Sequence, residues 1–231
     1  MTLMQHATHS TMTQEVRSDI KMQTNRAYLY VCNTMSDWEY GYLIAELHSG
    51  RYFKKELSPM SVTTVGVSTE TITTMGGLKM KPDVTIDEVT LEENDLIILP
   101  GGDTWREAMH MPLLQNMNKA LEKGAIVAAI CGATEGLANV GMLDSRKHTS
   151  NDAAYLKMVC PHYKGEALYE NKPAVAHKNL ITASGIAPLE FAYEVLNILD
   201  VFESDVLNAW YNLNKTQKTT YFFELMDAVQ R

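Results

Sequence analysis

Ala125-Ile126-Val127-Ala128-Ala129-Ile130-Cys131-Gly132-Ala133 is the most apolar run in the chain, and the rest is read outward from it. Its first six residues have the length and character of a strand buried on both faces. The strand runs straight into Cys131 and two small residues. A strand that turns sharply into a helix pushes the turn residue out at the carboxyl edge of the sheet, where such folds place their sites. Gly132 and Ala133 lack the bulk that would obstruct the turn. The helix that follows points its amide N–H groups and positive end at the sulfur, which favours thiolate, the nucleophilic form. The plainer reading of Cys131 is a small buried hydrophobe, the usual lot of a free cysteine.

Upstream, Leu96-Ile97-Ile98-Leu99 is another buried strand, stopped by Pro100-Gly101-Gly102. Two glycines after a strand leave backbone N–H groups open to a ligand, as an oxyanion hole requires, although Pro-Gly-Gly is also common turn punctuation. Further back, Ala27 to Cys32 reads as a first strand, and Ser36 and Asp37 as caps of a helix carrying Trp38, Tyr42, Leu43, Ala45, Glu46 and Leu47 to its end at Gly50. Glu39 then falls in the first helical turn, where the dipole tolerates an anion. Cys131, Gly101, Gly102 and Glu39 are thereby expected at one edge of one sheet.

The remaining pattern alternates strands and helices. Met60 to Val67 predicts a strand, and Thr71 to Val84 a hairpin-like excursion around Gly76-Gly77. A helical stretch follows Gly102, its second half begun by Pro112 and its end marked by Gly124. A short helix to Asn139 or Val140, a polar loop through Asn151, a helix over Asp152 to Cys160 and paired strands over Lys172 to Ala183 come next. Pro188 starts a helix with Leu189, Ala192, Tyr193, Leu196 and Leu199 on one face. The fold class is α/β, with a mostly parallel sheet covered on both faces. Residues 1–25 read as a disordered tail, 26–202 as the domain, and 203–231 as a helical extension packed on it, with Phe222, Leu225, Met226 and Val229 at helical spacing.

Composition bounds the function. At 231 residues with 45% hydrophobic and 21% charged residues, the chain is long and apolar enough for a core without disulfide or metal staples. A net charge of -8 argues against a nucleic-acid partner. No apolar run is long enough to span a membrane, and no basic segment followed by an apolar one announces secretion. Cys32, Cys131 and Cys160, odd in number and far apart, suit a reducing cytoplasm. No Gly-rich phosphate-binding run is present, so no nucleotide cofactor is expected.

Three stretches in order, Ala129-Ile130-Cys131-Gly132-Ala133, Leu143-Asp144-Ser145-Arg146-Lys147-His148-Thr149 and Thr182-Ala183-Ser184-Gly185-Ile186-Ala187-Pro188-Leu189-Glu190-Phe191-Ala192, resemble the DJ-1/PfpI (ThiJ) family within the class I glutamine amidotransferase-like superfamily. The resemblance covers about Arg26 to Val201. It implies a flavodoxin-like three-layer sandwich, a homodimer, a reactive elbow cysteine at Cys131 and, at Glu39, a carboxyl group that hydrogen-bonds the sulfur. It also sets Gly102 and Gly132 at backbone positions lining the site.

Hydrolytic relatives carry a histidine directly after the cysteine or about 20 residues later. Here those positions hold Gly132 and Asn151, so no Cys-His dyad is evident. His148 lies near Asn151 on the same loop and is a pocket candidate, with a solvent-facing position the commoner outcome. Trp105, just past the glycines, either walls the pocket or packs into the core. A true glutamine amidotransferase would need a G-x-C-x-G elbow and a late H-x-E pair, and neither occurs. None of the seven histidines has zinc-like spacing, so no metal is expected. The expectation is a cysteine-dependent enzyme, with hydrolase, hydratase or glyoxalase/deglycase-like chemistry, acting on a small electrophilic carbonyl, amide or nitrile-like substrate. The competing readings are a cysteine redox sensor and a family fold without chemistry.

Overall fold

The computed structural model describes residues 26–231; the tail over residues 1–25, with His6 and His9, lies outside the described residues. Four fully buried strands form the centre: β1 (Ala27–Tyr30), β6 (Leu96–Leu99), β7 (Ile126–Ile130) and β9 (Leu180–Ala183). Their near-continuous apolar sequences reflect burial on both faces. Beside β1 lie β2 (Val62–Gly66) and β5 (Val84–Thr85), and beside β9 lies β8 (Ala174–His177). The seven-stranded order is β5-β2-β1-β6-β7-β9-β8, parallel throughout except for the edge pair β8–β9. β3 (Ile72–Thr73) and β4 (Lys79–Met80) make the expected hairpin, while β5 returns the chain to the main sheet, which the sequence pattern did not indicate.

Helices α1 (Gly41–Ser49), α2 (Met111–Glu122), α3 (Gly132–Asn139), α4 (Ala153–Val159) and α5 (Pro188–Leu199) complete the α/β sandwich, lying on both sides of the sheet. The C-terminal extension is helical: α6 (Ser204–Thr216) and α7 (Thr219–Gln230) pack on each other, and α6 packs on α5. Leu225 of the predicted stripe is buried, whereas Phe222 is 45% exposed. Trp210 on α6 donates from Nε1 to buried Glu46 on α1 at 3.0 Å, and Arg51 pairs with the same carboxylate. Among the described residues no helix is long and apolar enough to cross a membrane.

The parallel register decides where the loops emerge. Tyr30, Leu99, Ile130 and Ala183 end their strands at the same edge, so the segments after β1, β6, β7 and β9 all open there. The strand order reverses beside β1, the place where open α/β sheets leave a crevice.

Candidate active site

At the end of β7 the chain makes its turn on Cys131 itself, at φ 59° and ψ -126°. That backbone is unusual for a residue with a side chain and is typical of a nucleophile elbow. The Cys131 N–H still donates to the Ala183 carbonyl at 3.0 Å, which fixes the elbow to β9. The thiol is partly exposed, whereas Cys32 and Cys160 are buried.

Glu39 reaches this sulfur from the segment after β1. Its side chain belongs to a turn, not to the first turn of α1, which begins at Gly41 with Tyr40 as its cap residue. The expected caps are engaged elsewhere. Ser36 N–H donates to the Gly101 carbonyl at 3.0 Å, and Asp37 Oδ2 accepts from Gly76 N–H in the hairpin at 2.6 Å. Glu39 is 1% exposed, and its burial does not come from its neighbours Trp38 and Tyr42, which are 52% and 40% exposed. It comes from the glycine backbones that close on it. A Cβ on Gly101 would sit 2.7 Å from Cys131 Cβ and 2.8 Å from Glu39 Oε2. One on Gly185 would sit 2.7 Å from Cys131 Sγ and 3.0 Å from Glu39 Oε1. Only glycine fits on either side of the pair.

Burial pushes the Glu39 carboxyl up to about 7, against the Gly101 N–H bond and the nearby Cys131 and Ser36 groups, which favour its charge. Burial likewise pushes the Cys131 thiol up to about 11, and a charge on Glu39 pushes the same way. Asn151 and the Gly132 N–H oppose this by donating to the sulfur. The sequence expectation of a lowered thiol is therefore corrected: the helix end is present, but desolvation and an adjacent carboxylate outweigh it. Glu39 Oε2 accepts from Gly101 N–H at 2.5 Å, while Oε1 is buried and has no hydrogen-bond partner.

The other predicted residues fall into two groups. Asn151 stands at the site: its Nδ2 donates to Cys131 Sγ at 3.3 Å, and its Oδ1 accepts from Gly185 N–H at 2.8 Å. Gly101 is at the site, but its N–H is spent on Glu39, so it is not free to bind an oxyanion. Gly102 N–H has no acceptor among the described residues, and Gly132 opens α3 beside it, so that a Cβ on Gly132 would be 3.3 Å from Gly102 N. Trp105 is 2% exposed and belongs to the core. It donates to the Pro100 carbonyl, stacks on His110 at 4.7 Å, and leaves no face toward a ligand.

His148 is fully buried, contrary to the solvent-facing expectation. Its Nδ1 donates to the Arg146 carbonyl at 2.7 Å, leaving Nε2 to accept from the Tyr163 hydroxyl at 2.6 Å. Both ring nitrogens are thus spent on organising the loop that delivers Asn151. His110 is similarly engaged by Tyr30 and Thr104. Among the described residues no histidine bonds Cys131, and no cluster of metal-ligand side chains gathers.

Two residues of the site were not singled out from sequence. Gly185 follows β9 as Gly101 follows β6, so a small residue just past a buried strand was the available signal. Trp38 donates from Nε1 to the Gly185 carbonyl at 3.0 Å, a contact between residues 147 positions apart that no local pattern announces.

Comparison with known proteins agrees with this architecture. The model of the DJ-1/PfpI family matches residues 25–198. A Bacillus subtilis protein named "Uncharacterized protease YoaZ" is 64% identical over 210 residues, covering 91% of this chain and all of that one. The crystal structure of a ThiJ/PfpI family protein from Bacillus anthracis superimposes with a TM-score of 0.89 at 65% identity, covering 90% of this chain and 99% of that one. Shorter matches include a protein named a deglycase from Pyrococcus horikoshii, 37% identical over 35% of this chain and 49% of its own. A Caenorhabditis elegans protein named a glutathione-independent glyoxalase is 27% identical over 61% of this chain and 74% of its own.

Proposed function

The chain belongs to the DJ-1/PfpI family, and from that premise we propose that it is a cysteine-dependent enzyme acting on a small electrophilic carbonyl, amide or nitrile-like substrate. The observation that carries this reading is the Glu39 carboxyl, 1% exposed, whose Oε1 has no protein partner while Gly185 presses it and Cys131 Sγ together. Such a buried acid costs stability, and a carboxyl kept at that cost beside a thiol marks a group that handles a proton.

In the proposed step the Cys131 sulfur forms a bond to the electrophilic carbon, the π pair moves to the oxygen or nitrogen, and the thiol proton passes to ionised Glu39. The Gly102 amide, whose N–H has no acceptor among the described residues, faces the developing negative charge, while the Gly132 N–H holds the sulfur. Asn151 donates to the sulfur and has no site to take up a proton there, so Glu39 alone carries the proton out and back. A single proton carrier suits addition to an aldehyde, or glyoxalase/deglycase-like and hydratase chemistry. It suits peptide cleavage poorly, because the amine leaving group must be protonated without a histidine. The three free cysteines suit a reducing, cytoplasmic compartment. Size-exclusion chromatography with light scattering tests the homodimer proposed from the family.

The deciding experiment is the rate of Cys131 alkylation by iodoacetamide against pH, read by mass spectrometry, in the wild type and Glu39→Gln. Because ionised Glu39 takes the thiol proton as the sulfur attacks, the wild-type rate is expected to rise through about pH 7 as Glu39 ionises, well below the thiol's own ionisation. In Glu39→Gln the rise moves above the free-thiol value of about 8.5, so the rate at pH 7.5 falls about tenfold. Superimposable profiles would remove Glu39 from the chemistry. A tuned thiol that turns over no aldehyde, amide or nitrile would favour the redox sensor.

A further inference from the structure

Trp38 is a large apolar residue left 52% exposed beside a buried site, so burial does not explain its position. What holds it is the hydrogen bond from Nε1 to the Gly185 carbonyl, 3.0 Å. The other end of the same residue is held too, since Gly185 N–H donates to Asn151 Oδ1 at 2.8 Å. Gly185 is therefore gripped by two side chains from two other loops. Its Cα presses on both members of the proposed chemical pair, as the forbidden Cβ distances to Cys131 Sγ and Glu39 Oε1 show.

The span of this grip is informative. Trp38 follows β1 and Gly185 follows β9, and β6 and β7 lie between those strands. At about 4.8 Å per strand, the connection reaches across about 14 Å of sheet edge. The two strands between them, β6 and β7, lead into Gly101, Gly102 and Cys131.

We propose that Trp38 is a positioning residue: its indole N–H, with Asn151 on the far side, straps Gly185 down over the Cys131–Glu39 pair and so sets how dry and how tightly coupled that pair is. The inference rests on the reading that Cys131 and Glu39 act together. Trp38 touches neither reacting atom and acts through Gly185. Without the strap the segment around Gly185 lifts, water reaches the sulfur and the carboxyl, and the carboxyl titrates closer to its ordinary range.

Trp38→Phe tests this, because it keeps an aromatic ring and removes the donor. Two measurements apply: amide hydrogen exchange of the peptide containing Gly185, and the pH profile of Cys131 alkylation. The expected result is about fivefold faster exchange around Gly185, the equivalent of one lost hydrogen bond. The first rise of the alkylation profile should also move to lower pH, with the melting temperature little changed. Gly185→Ala should act oppositely on access, slowing alkylation at every pH because its Cβ crowds the sulfur. Exchange and a pH profile in Trp38→Phe that superimpose on the wild type would overturn the strap while leaving a Glu39-dependent thiol intact. A wild-type profile indifferent to Glu39→Gln would overturn both readings.

Discussion

Glu39 sets a conflict between stability and chemistry that can be measured. Its carboxyl is pushed from 4.5 to about 7 in the folded protein, chiefly by burial. Between those two values the folded state binds the proton and the unfolded state releases it, so stability falls as pH rises through that window. Below about pH 4.5 both states are protonated and the penalty vanishes; above about pH 7 it is fully present. The shift corresponds to roughly 3 kcal/mol at most. Glu39→Gln keeps an oxygen for Gly101 N–H and removes the charge. It should therefore be more stable than the wild type at pH 8, and the gain should shrink as pH drops toward 4.5. Urea titrations at the two pH values check this, and a pH-independent difference would contradict a raised carboxyl. A site residue whose removal stabilises is what a functional burial predicts.

The β7–α3 elbow is the element on which the site turns. Cys131 is held at φ 59°, a backbone that L-residues rarely adopt and that costs on the order of 1–3 kcal/mol. The neighbouring elements hold it there, through Cys131 N–H to the Ala183 carbonyl and Thr134 N–H to the Cys131 carbonyl, each at 3.0 Å. Ordinarily glycine is less stable than alanine by about 0.5–1 kcal/mol at an ordered position. Here the order should reverse, with Cys131→Gly melting above Cys131→Ala, since only glycine relieves the strain. Differential scanning calorimetry of the two variants decides it, and the ordinary ranking would mean that the elbow is unstrained.

At the scale of the molecule, the C-terminal extension is bound into the sandwich through the helix that follows Glu39. Trp210 on α6 is 2% exposed, bonds Glu46 on α1 and meets Phe202 and Tyr42 edge-on. Detaching α6 would break the Trp210 bond to the Glu46 carboxylate and expose the buried indole, a cost of about 3 kcal/mol. The extension and the sheet should therefore unfold together. Trp105 reports the core under the elbow and Trp210 the extension. Denaturation followed in Trp38→Phe,Trp210→Phe and in Trp38→Phe,Trp105→Phe should give coincident midpoints once corrected for each variant's own stability by circular dichroism. A fluorescence transition of Trp210 that precedes the loss of secondary structure would make residues 203–231 a separate unit.

The parallel α/β sheet, the hairpin, the helical extension and the cysteine elbow were legible in sequence. Each depends on local pattern: a buried strand is apolar throughout, a turn needs small residues, and an amphipathic helix repeats every few positions. Glu39 was placed at the right edge but on the wrong element, because Ser36 and Asp37 resemble helix caps and only distant Gly101 and Gly76 show where their groups go. His148 was expected outward for the same reason, its partner Tyr163 being invisible to local reading. The raised thiol, the division of labour between Gly101 and Gly102, and the grip of Trp38 and Asn151 on Gly185 were decided by tertiary structure alone. Burial and long-range hydrogen bonds are properties of surfaces brought together from four strands, and a sequence specifies each surface without displaying their contact.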